Sequence, residues 1–407
     1  MSVAEEIVAP DAASPSNYDR KALAASAAGY AMDGFDFLIL GFMLSAISRD
    51  LGLGATAGAS LATFTLIGAV IGGFVFGILA DRYGRVRVLS LTILIFAAFT
   101  GLSAFAQGYW DLVVYRTIAG LGLGGEFGIG MALVAEAWPA SQRARASSYV
   151  GLGWQAGVLA AAVVTPALLP LIGWRGMFLV GLVPALASFA IRRSVGEPEL
   201  FQRKRAAGFP VKLLVKDAAT TKISFGLFIL CSVQNFGYYG LMIWMPNYLS
   251  KQFGFSLTQS ALWTAVTILG MGFGIWLFGE LADRIGRRPI FIAYQIGAFA
   301  MVLVYSQLTN PTALLIGGAI TGLFVNGMLG GYGALMSELY PTNARATAQN
   351  VLFNLGRGVG GFGPVAIATL AGAYSFSAAI ALLAIIYLID IAATYFLIPE
   401  RKGMALE

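Results

Sequence analysis

The sequence predicts an all-α membrane protein: twelve transmembrane helices in two pseudo-symmetric six-helix bundles. Three observations carry that prediction. Composition is the first. Of 407 residues, 58% are hydrophobic and only 11% charged, with a mean hydropathy of +0.77, whereas a soluble domain averages roughly 25% charged residues. Apolar runs fall at 22–47, 59–80, 86–107, 110–137, 146–171, 173–191, 223–249, 260–281, 289–308, 311–339, 346–373 and 375–398, each long enough to cross a bilayer as a helix. The second observation is charge placement. Twelve spans put both termini on one side, and 21 of the 26 Lys and Arg lie in segments on that side; Arg49, Arg175 and Lys251 lie opposite, and Arg116 and Arg357 lie inside spans. The positive-inside rule places the basic side in the cytoplasm. The net charge of +6 is therefore a topology signal, and no nucleic acid is needed to explain it.

The third observation is an internal repeat. Gly77-Ile-Leu-Ala80-Asp81-Arg82-Tyr-Gly84-Arg85 returns as Gly279-Glu-Leu-Ala282-Asp283-Arg284-Ile-Gly286-Arg287-Arg288, and Glu136-Ala-Trp-Pro139 with Arg143 returns as Glu338-Leu-Tyr-Pro341 with Arg345. Both pairs are 202 residues apart, near half the chain, so a six-helix unit is duplicated. The expected domains are a cytoplasmic tail over 1–21, bundles over 22–191 and 223–398, a basic linker over 192–222, and a cytoplasmic tail over 399–407. Residues 1–19 are polar and lack the pattern of a signal peptide. Parallel repeats place a binding site near the midplane, between the halves. Cys231 is the single cysteine and there is no histidine. Proton chemistry near neutral pH must therefore run on carboxylates.

Taken in order, span 1 carries Asp33 and Asp36. Charge at that depth costs a few kcal/mol, on the order of 2.5–3.5 on insertion scales, and usually persists because it faces a wet cavity. Positions i and i+3 share a helix face, so both acids look into one space, and their mutual repulsion favours holding a proton on one of them. The alternative is that both are neutralised and merely hold helices together. Span 4 contains Arg116 and then Gly120-Leu-Gly122-Leu-Gly124-Gly125-Glu126-Phe127-Gly128. Glycines at every fourth position give a smooth face for close helix contact. No strand precedes them, which excludes a dinucleotide loop. Glu126 is a third intramembrane acid, and Arg116 either neutralises an acid of span 1 or receives a substrate carboxylate.

Span 5 offers Trp154 and Gln155 to the cavity. Span 7 offers Gln234, Asn235 and Tyr238, with Tyr239 assigned to packing and Trp244 and Tyr248 to the outer interface. Asn326 of span 10 either lines the site or bridges helices. Span 11 holds Arg357 among glycines, exposed along its length and able to grip an anion; the alternative is an ion pair with Asp390 of span 12.

The twice-present Gly-x-Leu-Ala-Asp-Arg-x-Gly-Arg-Arg motif resembles the signature of the major facilitator superfamily. That resemblance implies a twelve-helix transporter working by alternating access. It also implies a cytoplasmic gate in which the motif Asp caps a neighbouring helix and pairs with Arg across the interface between halves. Asp81, Arg82, Arg85, Asp283, Arg284 and Arg287 are expected there, with Glu136, Arg143, Glu338 and Arg345 of the second repeated pair; the alternative is that they only fix topology. The Asp33-Gly34-Phe35-Asp36 string resembles the first helix of the carboxylate:proton symporter groups for sialate-type and for aromatic acids, and Gly-Gly-Glu-Phe-Gly resembles the sialate-type group. The expectation is proton-coupled uptake of a small organic carboxylate. Asp33, Asp36 or Glu126 would carry the proton, and Arg357 or Arg116 would receive the substrate. An aromatic-acid or sialic-acid symporter is one alternative, and a cation or drug exporter another; the exporter predicts cavity acids without arginines. No nucleotide loop, metal cluster or nucleophile–base pair suggests an enzyme or a cofactor. The expected partners are a small organic anion, protons and the lipid bilayer, for a monomer in a bacterial inner membrane.

Overall fold

The computed structural model describes residues 14–203, 208–254, 257–404 and 406. Every regular element among them is helical. The first helices are α1 (Asn17–Asp50), α2 (Ala55–Tyr83), α3 (Arg85–Ser103) and α4 (Tyr109–Ala137). The segment Arg143–Val180 is broken at Gly173, whose φ is 66°, and so divides into α5 (143–172) and α6 (174–192, completed by Leu182–Arg192). A short helix, Glu199–Arg203, and a 3-10 turn, Pro210–Val215, form the link to α7 (Ala218–Phe253). Next come α8 (Leu257–Ile285), α9 (Arg287–Tyr305) and α10 (Pro311–Leu339), the last interrupted at Met328. In α11 (345–373) the helix breaks after Gly360, and α12 (376–397) is interrupted at Ala384. Among the described residues, ten stretches are long and apolar enough to cross a membrane; α6 and α7 are the remaining two of the twelve spans. The side chains of Trp244, Pro246 and Tyr248 lie outside the described residues.

Local chemistry explains the helix starts. Ser16 caps α1 in a reciprocal box with Asp19, satisfying backbone N–H groups that have no intrahelical partner. Asp217 accepts from the Thr220 N–H at 2.7 Å to open α7, and Asn310 with Pro311 opens α10, an arrangement in which the missing proline N–H costs nothing. Between α2 and α3 the chain turns at Gly84, and 202 residues on, between α8 and α9, at Gly286; their φ values of 124° and 132° are ones that only glycine adopts readily.

The glycine face expected on α4 forms, and it divides among three neighbours. A Cβ added at Gly120 or Gly124 would lie 2.2 or 2.0 Å from the Thr65 or Ala69 carbonyl oxygen of α2. Gly122 meets α3 at Thr92, and Gly128 meets Asn350 of α11. Such contact gives close van der Waals packing where lipid tails offer no hydrophobic drive between helices. Ile67, Ile71 and Val75 of α2 and Leu91 and Leu94 of α3 remain exposed on the outside, as a lipid-facing surface requires. Across the halves, α2 packs on α11 and α5 on α8, with α4 against α11 and α5 against α10.

Candidate functional site

The two copies of the loop motif build one symmetric network of ion pairs and helix caps. Asp81 accepts from the Thr347 N–H at 2.8 Å, the Thr347 hydroxyl at 2.5 Å and the Ala346 N–H at 3.3 Å, and so caps α11 of the other half. Asp283 does the same for α5, accepting from Ala144 and Arg145 N–H at 3.0 and 2.9 Å. Arg85 bridges Asp81 and Glu136 at 2.6 and 2.9 Å. Arg287 bridges Asp283 and Glu338 at 3.2 and 2.8 Å. Each Glu then reaches across: Glu136 to Arg345 at 2.8 Å and Glu338 to Arg143 at 3.0 Å. Asn354 and Asn350 of α11 add bonds at 2.9 Å to the Gly124 carbonyl and the Gly128 N–H of α4. This end of the molecule, predicted cytoplasmic, is closed. Arg82 and Arg284 stand outside the network: Arg82 donates to the Gly208 carbonyl, and Arg284 is mostly exposed beside Glu280.

Above the closed end lies a narrow cavity of about 10 Å³ between the halves, room for about one water molecule, lined by Tyr30, Trp154, Gln234, Tyr238, Asn326 and Arg357 with Asn235, Tyr239, Leu329 and Phe353. Its walls come from α1, α5, α7, α10 and α11, and α10 and α11 are each discontinuous close to it, at Met328 and after Gly360. Stacked Phe127 and Phe353 (3.7 Å) form a contact between the halves beside it. Phe37 packs against both Trp154 and Tyr239, at 5.9 and 5.7 Å.

Among the described residues, the intramembrane charges sort into two pairs, Asp390 on α12, and two groups near the interface between the halves. Arg116 holds Asp36 through both guanidinium nitrogens and lies 5.6 Å from the Phe178 ring; neither member of this pair lines the cavity. Glu126 accepts from Arg192 at 2.5 and 3.3 Å and from Thr92 at 2.6 Å. Sequence reasoning missed Arg192. It sat at the boundary assigned to the linker, where one more residue of apolar run would have placed it in span 6; the chain buries it at the end of α6. What remains is Asp33, buried with neither carboxylate oxygen hydrogen-bonded, and Arg357.

Arg357 has no carboxylate partner among the described residues. Its Nε donates to the Tyr239 hydroxyl at 3.0 Å and its guanidinium lies 5.1 Å from the Trp154 ring, so the Nη edge is left to the cavity. Asp390, the alternative partner, is buried on α12 and forms no ion pair among the described residues. Gln234 donates to Asn326 Oδ1 at 2.7 Å, which leaves Gln234 Oε1 and Asn326 Nδ2 without partners. Trp154 donates to the Tyr238 hydroxyl at 3.3 Å across the halves, and Asn235 is bonded to the Cys231 carbonyl. Gln155 is buried, unpartnered and away from the cavity. Tyr239, assigned to packing from sequence, instead anchors Arg357.

A duplicated six-helix unit, an ion-pair network made of its repeated motifs and a central cavity between the halves are the plan expected of one transporter family. The family model described as Major Facilitator Superfamily matches residues 26–275 and 227–406. The chain belongs to this superfamily. It is 66% identical over 401 residues to a putative metabolite transport protein of Haemophilus influenzae, covering 96% of this chain and 98% of that protein. It is 33% identical to a probable 4-methylmuconolactone transporter of Cupriavidus pinatubonensis, covering 95% and 92%. Among solved structures it resembles the proton:xylose symporter XylE bound to 6-bromo-6-deoxy-D-glucose, with a TM-score of 0.80 at 18% identity over 97% of this chain and 98% of that one; at that identity the likeness concerns the fold. This superfamily member is thus a multi-pass membrane transporter and not an enzyme.

Proposed function

We propose that the protein takes up a small organic carboxylate together with a proton, by alternating access. One observation carries the reading: Arg357 is a buried cation with its Nη edge open to a cavity between the halves and no carboxylate of the described residues on it. Buried cations are paired or costly, and a guanidinium edge takes a carboxylate through two parallel hydrogen bonds. Bound anion would complete the pair. Asp33 supplies the coupling. An ionised carboxylate without protein donors is costly to bury, so in the cytoplasm-closed state Asp33 carries a proton. It gives that proton up when the halves rock and the cytoplasmic side opens. Arg116 and Asp36 neutralise each other and hold α1 to α4.

The walls favour a flat acid. Tyr30, Trp154, Tyr238, Tyr239 and Phe353 line the cavity, and an aromatic lining suits an aromatic or conjugated monocarboxylate better than a polyhydroxylated sugar acid. Gln234 Oε1 and Asn326 Nδ2 offer one acceptor and one donor to a second polar group on that molecule. The relative named for 4-methylmuconolactone points the same way. The bacterial relatives support an inner-membrane location, and the charge asymmetry supports cytoplasmic termini.

Tryptophan fluorescence of the purified protein tests the grip, because Trp154 stacks beside Arg357. A panel of benzoate, nicotinate, 4-methylmuconolactone, lactate and N-acetylneuraminate is titrated against wild type and Arg357→Gln. Saturable quenching by a small flat acid, lost in the variant, is expected. Quenching by organic cations and by none of the acids would overturn the reading.

A further inference from the structure

Proton coupling needs something to compensate Asp33 after its proton leaves, and the substrate cannot do this once it has been released. Arg357, on α11, is engaged by Tyr239 and faces the cavity. Arg116 is held by Asp36. The charged groups whose fields act on Asp33 are Glu126 of α4, Arg357 of α11, Arg192 of α6 and Asp36 of its own helix; Tyr30 of α1 faces the same space.

We infer that Arg192 and Glu126 form a counter-charge exchange for Asp33: Arg192 transfers from Glu126 to Asp33 as the proton passes from Asp33 to Glu126. This rests on the proton-coupled reading of Asp33 and deepens it.

Four observations place the parts. The ion pair sits in a notch that only glycine leaves in α1: a Cβ on Gly29 would lie 2.0 Å from Arg192 Nη2 and 2.5 Å from Glu126 Oε2. Asp33 is four residues further along the same face, about 6 Å along the axis at 1.5 Å per residue, so the pair lies one turn nearer the gate. Both oxygens of Asp33 are buried without a donor, and Nε of Arg192 is a buried donor without an acceptor. Finally, Thr92 Oγ1 lies 2.6 Å from Glu126 Oε1 and 2.8 Å from the Leu89 carbonyl. A hydroxyl has one proton to donate and can also accept. With its proton turned to Leu89, Thr92 accepts from a protonated Glu126.

The step balances. Before it, Asp33 is neutral and Arg192 is paired with ionised Glu126. After it, ionised Asp33 is paired with Arg192, and neutral Glu126 donates to Thr92. One O–H bond breaks at Asp33 and one forms at Glu126, a water molecule carrying the proton between them where the acids do not touch. Net charge is unchanged throughout, so no uncompensated charge is left in the membrane. The proton has moved one turn toward the gate. Arg192 is a positioning residue here, since it touches neither substrate nor solvent.

Infrared spectroscopy of the full chain in lipid nanodiscs, without ligand, tests this. Wild type shows a protonated-carboxyl band that Asp33→Asn removes. In Glu126→Gln, Arg192 loses its acid and turns to Asp33, so the band is lost at a pH where wild type keeps it. The double variant Glu126→Gln/Arg192→Gln keeps a neutral hydrogen-bonded pair and the packing of the notch. There the band returns and persists to higher pH than in wild type. A band that survives in Glu126→Gln, or titrates in the double variant as in wild type, overturns the exchange while leaving Asp33 as proton carrier. A wild type with no band assignable to Asp33 overturns both. Where Glu126→Gln does not fold, the double variant decides alone.

Discussion

Arg357 gives its Nε hydrogen to the hydroxyl of Tyr239 at 3.0 Å, and that bond selects which edge of the guanidinium faces the cavity. With Nε engaged and the guanidinium 5.1 Å from the Trp154 ring, the two Nη groups face the cavity as a fork, and on the proposed reading that fork takes the substrate carboxylate. Arg357→Lys keeps the charge and loses the fork. A lysine is a compact point charge that cannot make the bidentate contact. Transport efficiency is expected to fall at least tenfold in Arg357→Lys and at least a hundredfold in Arg357→Gln, measured as initial uptake against substrate concentration.

Tyr239→Phe removes the anchor and leaves the arginine. A hydrogen bond to a charged group contributes about 1.5–3 kcal/mol, part of which solvent restores. The expected outcome is a KM raised several-fold with a smaller effect on kcat, measured by the same assay. An unchanged KM would show that Arg357 is held without Tyr239.

The two acids of α1 are three residues apart and should respond in opposite ways. Asp36→Asn leaves Arg116 buried without its acid, and breaking a buried pair in this way costs about 3–5 kcal/mol. Its melting temperature in detergent should therefore drop well below that of wild type. Asp33→Asn removes a group with no partner to lose, so its melting temperature should match or exceed wild type. Accumulation against a gradient should vanish while substrate exchange continues. If Asp33 carries the coupling proton as proposed, wild-type uptake should rise as external pH falls, and in Asp33→Asn that dependence should flatten.

Both cross-half pairs, Glu136 with Arg345 and Glu338 with Arg143, join the halves at the closed end, and the proposed transport cycle requires them to part. Glu136→Gln with Glu338→Gln weakens both at once and should shift the population toward the cytoplasm-open form. Spin labels at Arg82→Cys and Arg284→Cys, in a Cys231→Ala background, report the separation of the two motif loops. Longer distances are expected in the double variant, and an unchanged distribution would place the gate elsewhere.

Much of this architecture was legible because it repeats or because the bilayer dictates it. The 202-residue offset paired Asp81 with Asp283 and Glu136 with Glu338, and the structure shows each pair in the same role. The break between α5 and α6 falls at Gly173, where the apolar runs divide. Charge partners were less legible, since periodicity shows that Asp33 and Asp36 share a face but not which arginine each one meets. Arg116 reaches Asp36, one turn further along α1, and passes Asp33 by. Arg192 was hidden because counting charges by loop assigns a residue at a span end to water. Tyr239 was hidden because an aromatic beside Tyr238 looks like packing until the guanidinium it holds is in place.

The central claim is tested most directly by uptake into proteoliposomes. Wild type and Arg357→Gln are each loaded at alkaline internal pH and offered labelled carboxylates at acidic external pH, with and without a protonophore. Wild type is predicted to accumulate one small flat acid above its external concentration, to lose that accumulation with the protonophore, and Arg357→Gln to accumulate none. Equal wild-type uptake with and without the gradient would contradict proton coupling, and undiminished uptake by Arg357→Gln would contradict the carboxylate grip.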